Sequence, residues 1–430
     1  MARNRQNSFF NLNALTIVCS IFFSAVWATP TEVSVAKRAT CTPVSAGDAG
    51  TDDVPAIQAA FGSCGNGGII VIPAGKEYAI RSPLSFAGCV NCDFQIEGTL
   101  KMSDDVDFWD GKSTVISINA IKGAKMHSVT GTGLVDGNGQ PYWIGTILFM
   151  SVDVFEHAAR NVAFAANSSY ARPTLVSITG ASTGITISNL RFKNPANVFH
   201  SVNGGSTNIL YESLEMDATS TATAIAKNTD GFDVGASTFV TIKNTTVINQ
   251  DDCVALKPGS NFAFVTDITC NGSHGLSVGS LGGGSGSTDT VTNAFLGPAT
   301  MINSAKAVGI KLWEGGSAHG VATVRNVTWS GITVQNCDYA IQIQSCYEAA
   351  NTSNCISNTD SLTEVIFTGF TGTTSTKFSP VVANINCAPG ATCDVVVENF
   401  SVKPPSGTAE VLCSNIDDAL GLTCSGAASG

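Results

Sequence analysis

One short phrase returns along this chain. "TGITISNLRFKN", "STNILYESLEMDA", "STFVTIKNTTVINQ", "NFAFVTDITCN", "DTVTNAFLGPATMIN", "ATVRNVTWSGITVQN", "LTEVIFTGFTG" and "TCDVVVENFSV" each set an alternating apolar strand before a polar break and a second short strand ending in Asn or a small residue. The spacing is loose, about 22 to 39 residues, with the excess in loops such as "GGGSGSTD", which is the signature of stacked coils. A propeller blade would need four strands per repeat, and a leucine-rich repeat its leucine ladder; neither is present. A parallel β-helix fits, because each coil buries its alternating Val, Ile, Leu and Phe and pairs its backbone with the coils above and below, ~4.8 Å away. The chain is therefore predicted to be all-β, one solenoid domain over 39–430, with "DVPAIQAAFGSCGNGG" as an N-terminal helix that covers the open end of the core.

Composition agrees: only 13% of residues are charged and 43 of the 430 are Gly, which suits short strands and tight turns better than long amphipathic helices. Residues 1–28 read as a signal peptide, with Arg3 and Arg5 before the apolar run "ALTIVCSIFFSAV" and a small-residue site at Ala28. That run is shorter than the ~20 residues a membrane crossing needs. Residues 29–38 read as a propeptide ending in Lys37-Arg38, so a secreted, extracellular protein is expected. Removal of residues 1–38 takes four cations and one anion, lowering the formal charge from −11 to −14. So acidic a surface disfavours nucleic acid and anionic membranes, and a polyanionic substrate would have to meet a local basic spot. A monomer is expected.

Six sequons, at Asn167, Asn244, Asn271, Asn326, Asn351 and Asn399, fit a glycosylating export route. Thirteen cysteines remain after Cys19 leaves with the signal. Short loops suggest pairs 89–92, 346–355, 387–393 and 413–424; Cys253 and Cys270 flank one chain reversal, and Cys41 reaches Cys64. Cys337 is left as a buried free thiol.

In stacked coils, residues one coil apart in sequence become neighbours in space. Asp230 of "KNTDGFD" precedes Asp251 by 21 positions, and Asp252 precedes His274 by 22, so the four fall in one column on one face. Lys311, in "AVGIKLW", joins the next rung once the glycine-rich insertion is allowed for. Three carboxylates a rung apart repel one another, so at least one should hold a proton near neutral or mildly acidic pH. A protonated acid beside ionised ones is the equipment of glycoside hydrolysis. His127, His157, His200 and His319 lie in no repeated register and take no role.

These residues resemble the polygalacturonase family of pectin hydrolases, glycoside hydrolase family 28, whose fold is a right-handed parallel β-helix. "NTDGFD", "QDDC" and "GSHGLSVGS" stand in the family's order at coil spacing, with "DGNGQ" and "RPTL" upstream. The resemblance implies hydrolysis of galacturonan with inversion, without a cofactor or metal. It casts Asp251 as general acid, Asp230 and Asp252 as activators of the water, and His274 as the group that tunes and orients the acid. It also places Asn228, Gly309, Lys311 and Tyr347 against the substrate, Tyr347 beside the scissile bond. Rung spacing alone would favour retention, since closely set carboxylates belong to retaining enzymes.

Where the family carries Arg-Ile-Lys, this chain has Gly309-Ile310-Lys311. The missing guanidinium is expected to leave a roomier, less cationic subsite suited to a branched galacturonate. With "VKPPSGTAEVLCSN" near the C-terminus, the pattern is most like fungal enzymes that cut xylose-decorated galacturonan; the alternative is an exo- or endo-acting enzyme on unbranched galacturonan. A Ca²⁺-dependent lyase of the same fold would need an arginine base, and no Arg is in register with the carboxylates. A non-catalytic glycan-binding β-helix would not need paired acids. Residues 144–162 form an extra apolar stretch, either a substrate-side insertion or translated intron.

Overall fold

In a computed structural model, residues 37–143, 171–349, 352–417 and 420–430 of the chain are described. The predicted signal and most of the predicted propeptide, the 144–162 stretch, His157 and the sequons at Asn167 and Asn351 lie outside them. From Arg38 to Gly430 the chain forms one unit in which every strand pair between named strands is parallel.

Each coil lays down strands on separate faces, and alternation decides what they bury. On one face Ile187, Tyr211, Ile242, Val265, Leu296, Trp329, Phe367 and Val397 pair in succession through eight coils, all buried. Each such side chain contributes roughly 1.5–3 kcal/mol of transfer free energy. Many Asn residues that close the repeated phrases sit at corners with φ near +50°, as at Asn303 and Asn336. There Asn336 donates its side-chain amide to Asn303, and Asn303 to Asn271, at 2.8 and 3.2 Å.

The expected helix runs Val54–Cys64, with Pro in its first turn and Ile57 and Phe61 fully buried at the end of the core. Phe61 meets Phe86 and Phe94 with ring centroids 4.8 and 5.2 Å apart. All six expected cysteine pairs form disulfides, and Cys337 is free and buried.

A second sheet of 11 strands is stacked in strict chain order. Four of its strands, Phe232–Val234, Val254–Leu256, Leu276–Leu281 and Val308–Trp313, carry the polar residues singled out above. Phe232, Val254, Leu276 and Val308 pair in register and point into the core. Residues between them face outward, and so do the turns just before each strand.

Candidate active site

Register alone brings the turn residues together. Counting two positions back from Phe232, Val254, Leu276 and Val308 gives one column: Asp230, Asp252, His274 and Lys306. Asp251 stands beside it. A second column, on the strands, holds Asp233, Ala255, Ser277 and Gly309. A third follows, with Gly279 paired to Lys311 and Lys257 one coil before. Acids, a hydroxyl and lysines are thus laid side by side on one face.

The turns are held by backbone and amide contacts. Asn249, buried, donates its side-chain amide to the carbonyls of Thr229, Asp251 and Asp252 at 2.8, 3.1 and 2.9 Å, tying the Asp230 turn to the next coil. The Gly231 amide donates to Asp252 O at 2.9 Å, and a Cβ at Gly231 would come within 2.5 Å of Cys253 O. Only glycine fits that approach. The Cys253–Cys270 disulfide fixes the same turn from behind.

Asp251, Asp252 and His274 present their ligand atoms within 4.8 Å of one another. His274 Nδ1 lies 3.2 Å from Asp251 Oδ1, and the Asp252 backbone amide donates to that same oxygen at 2.9 Å. Asp252 accepts from Ser277 Oγ at 2.7 Å and from Lys311 Nζ at 2.5 Å. Lys257 reaches Asp233 at 3.4 Å and Asp230 at 3.8 Å.

These neighbours split the carboxyls into two kinds. Burial, reinforced by the charges of Asp233, Asp251 and Asp252, pushes Asp230 well above the ordinary carboxyl range and so favours its protonated form. Burial also raises Asp233, against the pull of Lys257. For Asp252 burial acts in the same direction, but Lys311, Lys306 and Lys257 outweigh it and hold the carboxyl far below its usual range. Asp251 is likewise lowered: burial is outweighed by the hydrogen bond from His274 and by nearby cations. Carboxyls pushed toward the protonated form, Asp230 and Asp233, therefore stand beside carboxyls held toward the ionised form, Asp252 and Asp251, a division that suits acid–base hydrolysis of a glycosidic bond.

The glycosyl hydrolases family 28 model matches residues 64–425. The chain belongs to glycosyl hydrolases family 28. It is 51% identical over 399 residues to the probable endo-xylogalacturonan hydrolase A of Aspergillus niger, covering 92% of this chain and 93% of that one. It is 50% identical, with the same coverage, to endo-xylogalacturonan hydrolase A of Aspergillus tubingensis. The crystal structure of endo-xylogalacturonan hydrolase from Aspergillus tubingensis superposes with a TM-score of 0.84 at 49% identity, covering 91% of this chain and 100% of that one. The molecule is a glycoside hydrolase with the family's parallel β-helix.

In this family 28 chain burial, reinforced at Asp230 by the crowded carboxylates, raises Asp230 and Asp233, and not the Asp251 that the resemblance casts as proton donor. Lys311 reaches the site from a strand rather than from the turn column: it pairs with Gly279, five positions past the rung on which it was expected, and its ammonium is held by Asp252. Tyr347 adjoins it, the Lys311 ammonium lying 5.5 Å from the ring centroid. Asn228 Oδ1 accepts from Arg172 at 2.6 Å.

Two expectations fail. Gly309 opens no vacancy, because a Cβ there would meet Gln342 O at 2.3 Å and Lys306 Cδ at 2.7 Å. The neighbourhood is not short of cations either, since Lys306 fills it. Arg172, although out of register, reaches the edge of the site on its long side chain; its guanidinium is occupied by the carbonyls of Ala196 and Lys227 at 2.9 and 2.8 Å and by Asn228. Sequence reasoning missed Asn249, Ser277, Lys257, Asp233 and Lys306. A signal existed for the last: counted from strand pairing, the glycine-rich insertion lengthens that coil to 32 positions, from Leu276 to Val308, which puts Lys306 in line with His274. Of the other histidines, His127 pairs with Asp93 at 2.7 Å, His200 is buried among aromatic rings and His319 stacks on Trp313.

Proposed function

We propose that this chain is an extracellular endo-acting hydrolase of xylose-decorated galacturonan that cleaves α-1,4-galacturonosyl bonds with inversion. The observation that carries the reading is identity of about half over nine-tenths of the chain to enzymes named endo-xylogalacturonan hydrolase. The acid–base cluster above accompanies it.

Proton traffic follows from the electrostatics. Asp252, kept ionised by Lys311, is the base that takes a proton from the attacking water, with Asp230 helping to hold that water. Asp251 donates to the leaving oxygen. Because His274 favours its ionised form in the free enzyme, Asp251 gains its proton readily only at acidic pH, or when a bound polymer strips solvent from it. His274 therefore sets the pH at which the acid is charged with its proton.

Product analysis tests this. Xylogalacturonan incubated with the enzyme should lose viscosity early and yield internal fragments that carry xylose, with the new reducing end first appearing as the β-anomer by proton NMR. A chelator should not slow the reaction, and no unsaturated product should absorb in the ultraviolet. Products with unsaturated ends, or an initial α-anomer, contradict the mechanism.

A further inference from the structure

Lys306 threads its side chain between two glycines. A Cβ at Gly275 would lie 3.2 Å from Lys306 Cγ, and one at Gly309 would lie 2.7 and 2.9 Å from its Cδ and Cε. A side chain at either position would eject the lysine. Only 4% of Lys306 is exposed. Even so, among the described residues no acceptor lies within hydrogen-bonding distance of its ammonium. The ammonium at its tip keeps contact with solvent, which leaves it open to an incoming anion.

Its neighbours are already engaged. Lys311 is held by Asp252 at 2.5 Å, and Lys257 by Asp233 and Asp230 at 3.4 and 3.8 Å. Lys306 stands one coil past His274 in the turn column, beside the aspartates but bonded to none of them. Resting on the reading that the substrate is a galacturonan, we propose that Lys306 binds the carboxylate of the galacturonosyl unit next to the scissile bond, and that Lys311 serves chiefly as the counter-ion of Asp252. Gly309 is then small because Lys306 crosses it, and not because a branch enters there. A lysine is a point charge without the fixed fork of a guanidinium, so it tolerates a carboxylate displaced by a neighbouring xylosyl branch. Burial lowers its ammonium to about 8 while Asp252 pulls the other way, so it is cationic at the acidic pH where Asp251 takes up its proton.

The test uses the Asp251→Asn protein, which should bind without cleaving. Calorimetry would compare a de-esterified oligogalacturonide with its uncharged carboxamide form, with Lys306 present and in the added Lys306→Met variant, whose slender chain still fills the slot. Binding of the charged oligomer should weaken by ~10-fold and that of the amide by less than twofold. Equal changes for both ligands, or none for the charged one, would overturn the proposal. A second arm leaves Lys306 in place: affinity for the charged oligomer should fall between pH 7 and 9 while affinity for the amide holds, and parallel curves would also overturn it. If the parent enzyme cleaves no galacturonan at all, the functional reading fails; cleavage by the parent with uniform binding effects defeats the role of Lys306 alone.

Discussion

Asp251 and His274 form the pair on which turnover depends most directly in the proposed mechanism. Asp251→Asn should reduce kcat by ~10³-fold or more with an unchanged melting temperature, because it removes the transferable proton and keeps the shape. His274→Ala removes the hydrogen bond that lowers Asp251. The alkaline limb of the kcat/KM profile should accordingly move to higher pH while kcat falls, and a limb that stays in place would show that His274 does not set the acid. Asp230 gives a stability prediction of known sign. Its folded-state pKa lies above the unfolded value of about 3.9, so the folded site holds a proton that the unfolded chain gives up, and the stability linked to that proton is lost as pH rises through this window. Asp230→Asn, which keeps a donor toward Asp233, should melt higher than the parent at pH 7 and close to it at pH 3. The aspartates were legible in the sequence because "NTDGFD" and "QDDC" are separated by one coil. Which of them holds the proton was not, since that depends on Lys311, Lys257 and Asp233 arriving from neighbouring strands.

At the scale of the strand, register decides what each polar residue can touch. The regular 22-residue steps from Phe232 to Val254 to Leu276 made Asp230, Asp252 and His274 readable as one column. The longer step to Val308 hid Lys306 and drew attention to Lys311, which reaches Asp252 by another route. Gly309 shows the same dependence on neighbours: the absence of a side chain suggested space, and the next coil's Gln342 carbonyl together with Lys306 occupies it. Gly309→Ala should therefore destabilise the protein by about 1–3 kcal/mol, seen as a lower midpoint in denaturant, with no gain in activity on unbranched galacturonan. Unchanged stability there would show that the coil yields more easily than its contacts imply. The disulfides were readable for the opposite reason, since most close short loops within one coil and need no knowledge of register.

Across the whole molecule, the solenoid converts sequence period into a straight face, and the chemistry occupies a few adjacent rungs of it. Fold class, capping helix and the location of the acids followed from repeated alternation, which constrains every coil in the same way. Substrate preference does not follow from alternation, because side chains such as Lys311 and Tyr347, which the proposed function sets against the substrate, meet only in space. The whole chain is acidic, at −11, yet three lysines converge on the carboxylates and offset their charge, which eases the approach of a polyanionic ligand. The most direct measurement is kcat/KM on xylose-decorated and bare galacturonan, side by side, at mildly acidic pH. The account predicts at least ~10-fold preference for the decorated polymer, equivalent to about 1.4 kcal/mol in the transition state; equal rates or a preference for the bare chain would contradict it.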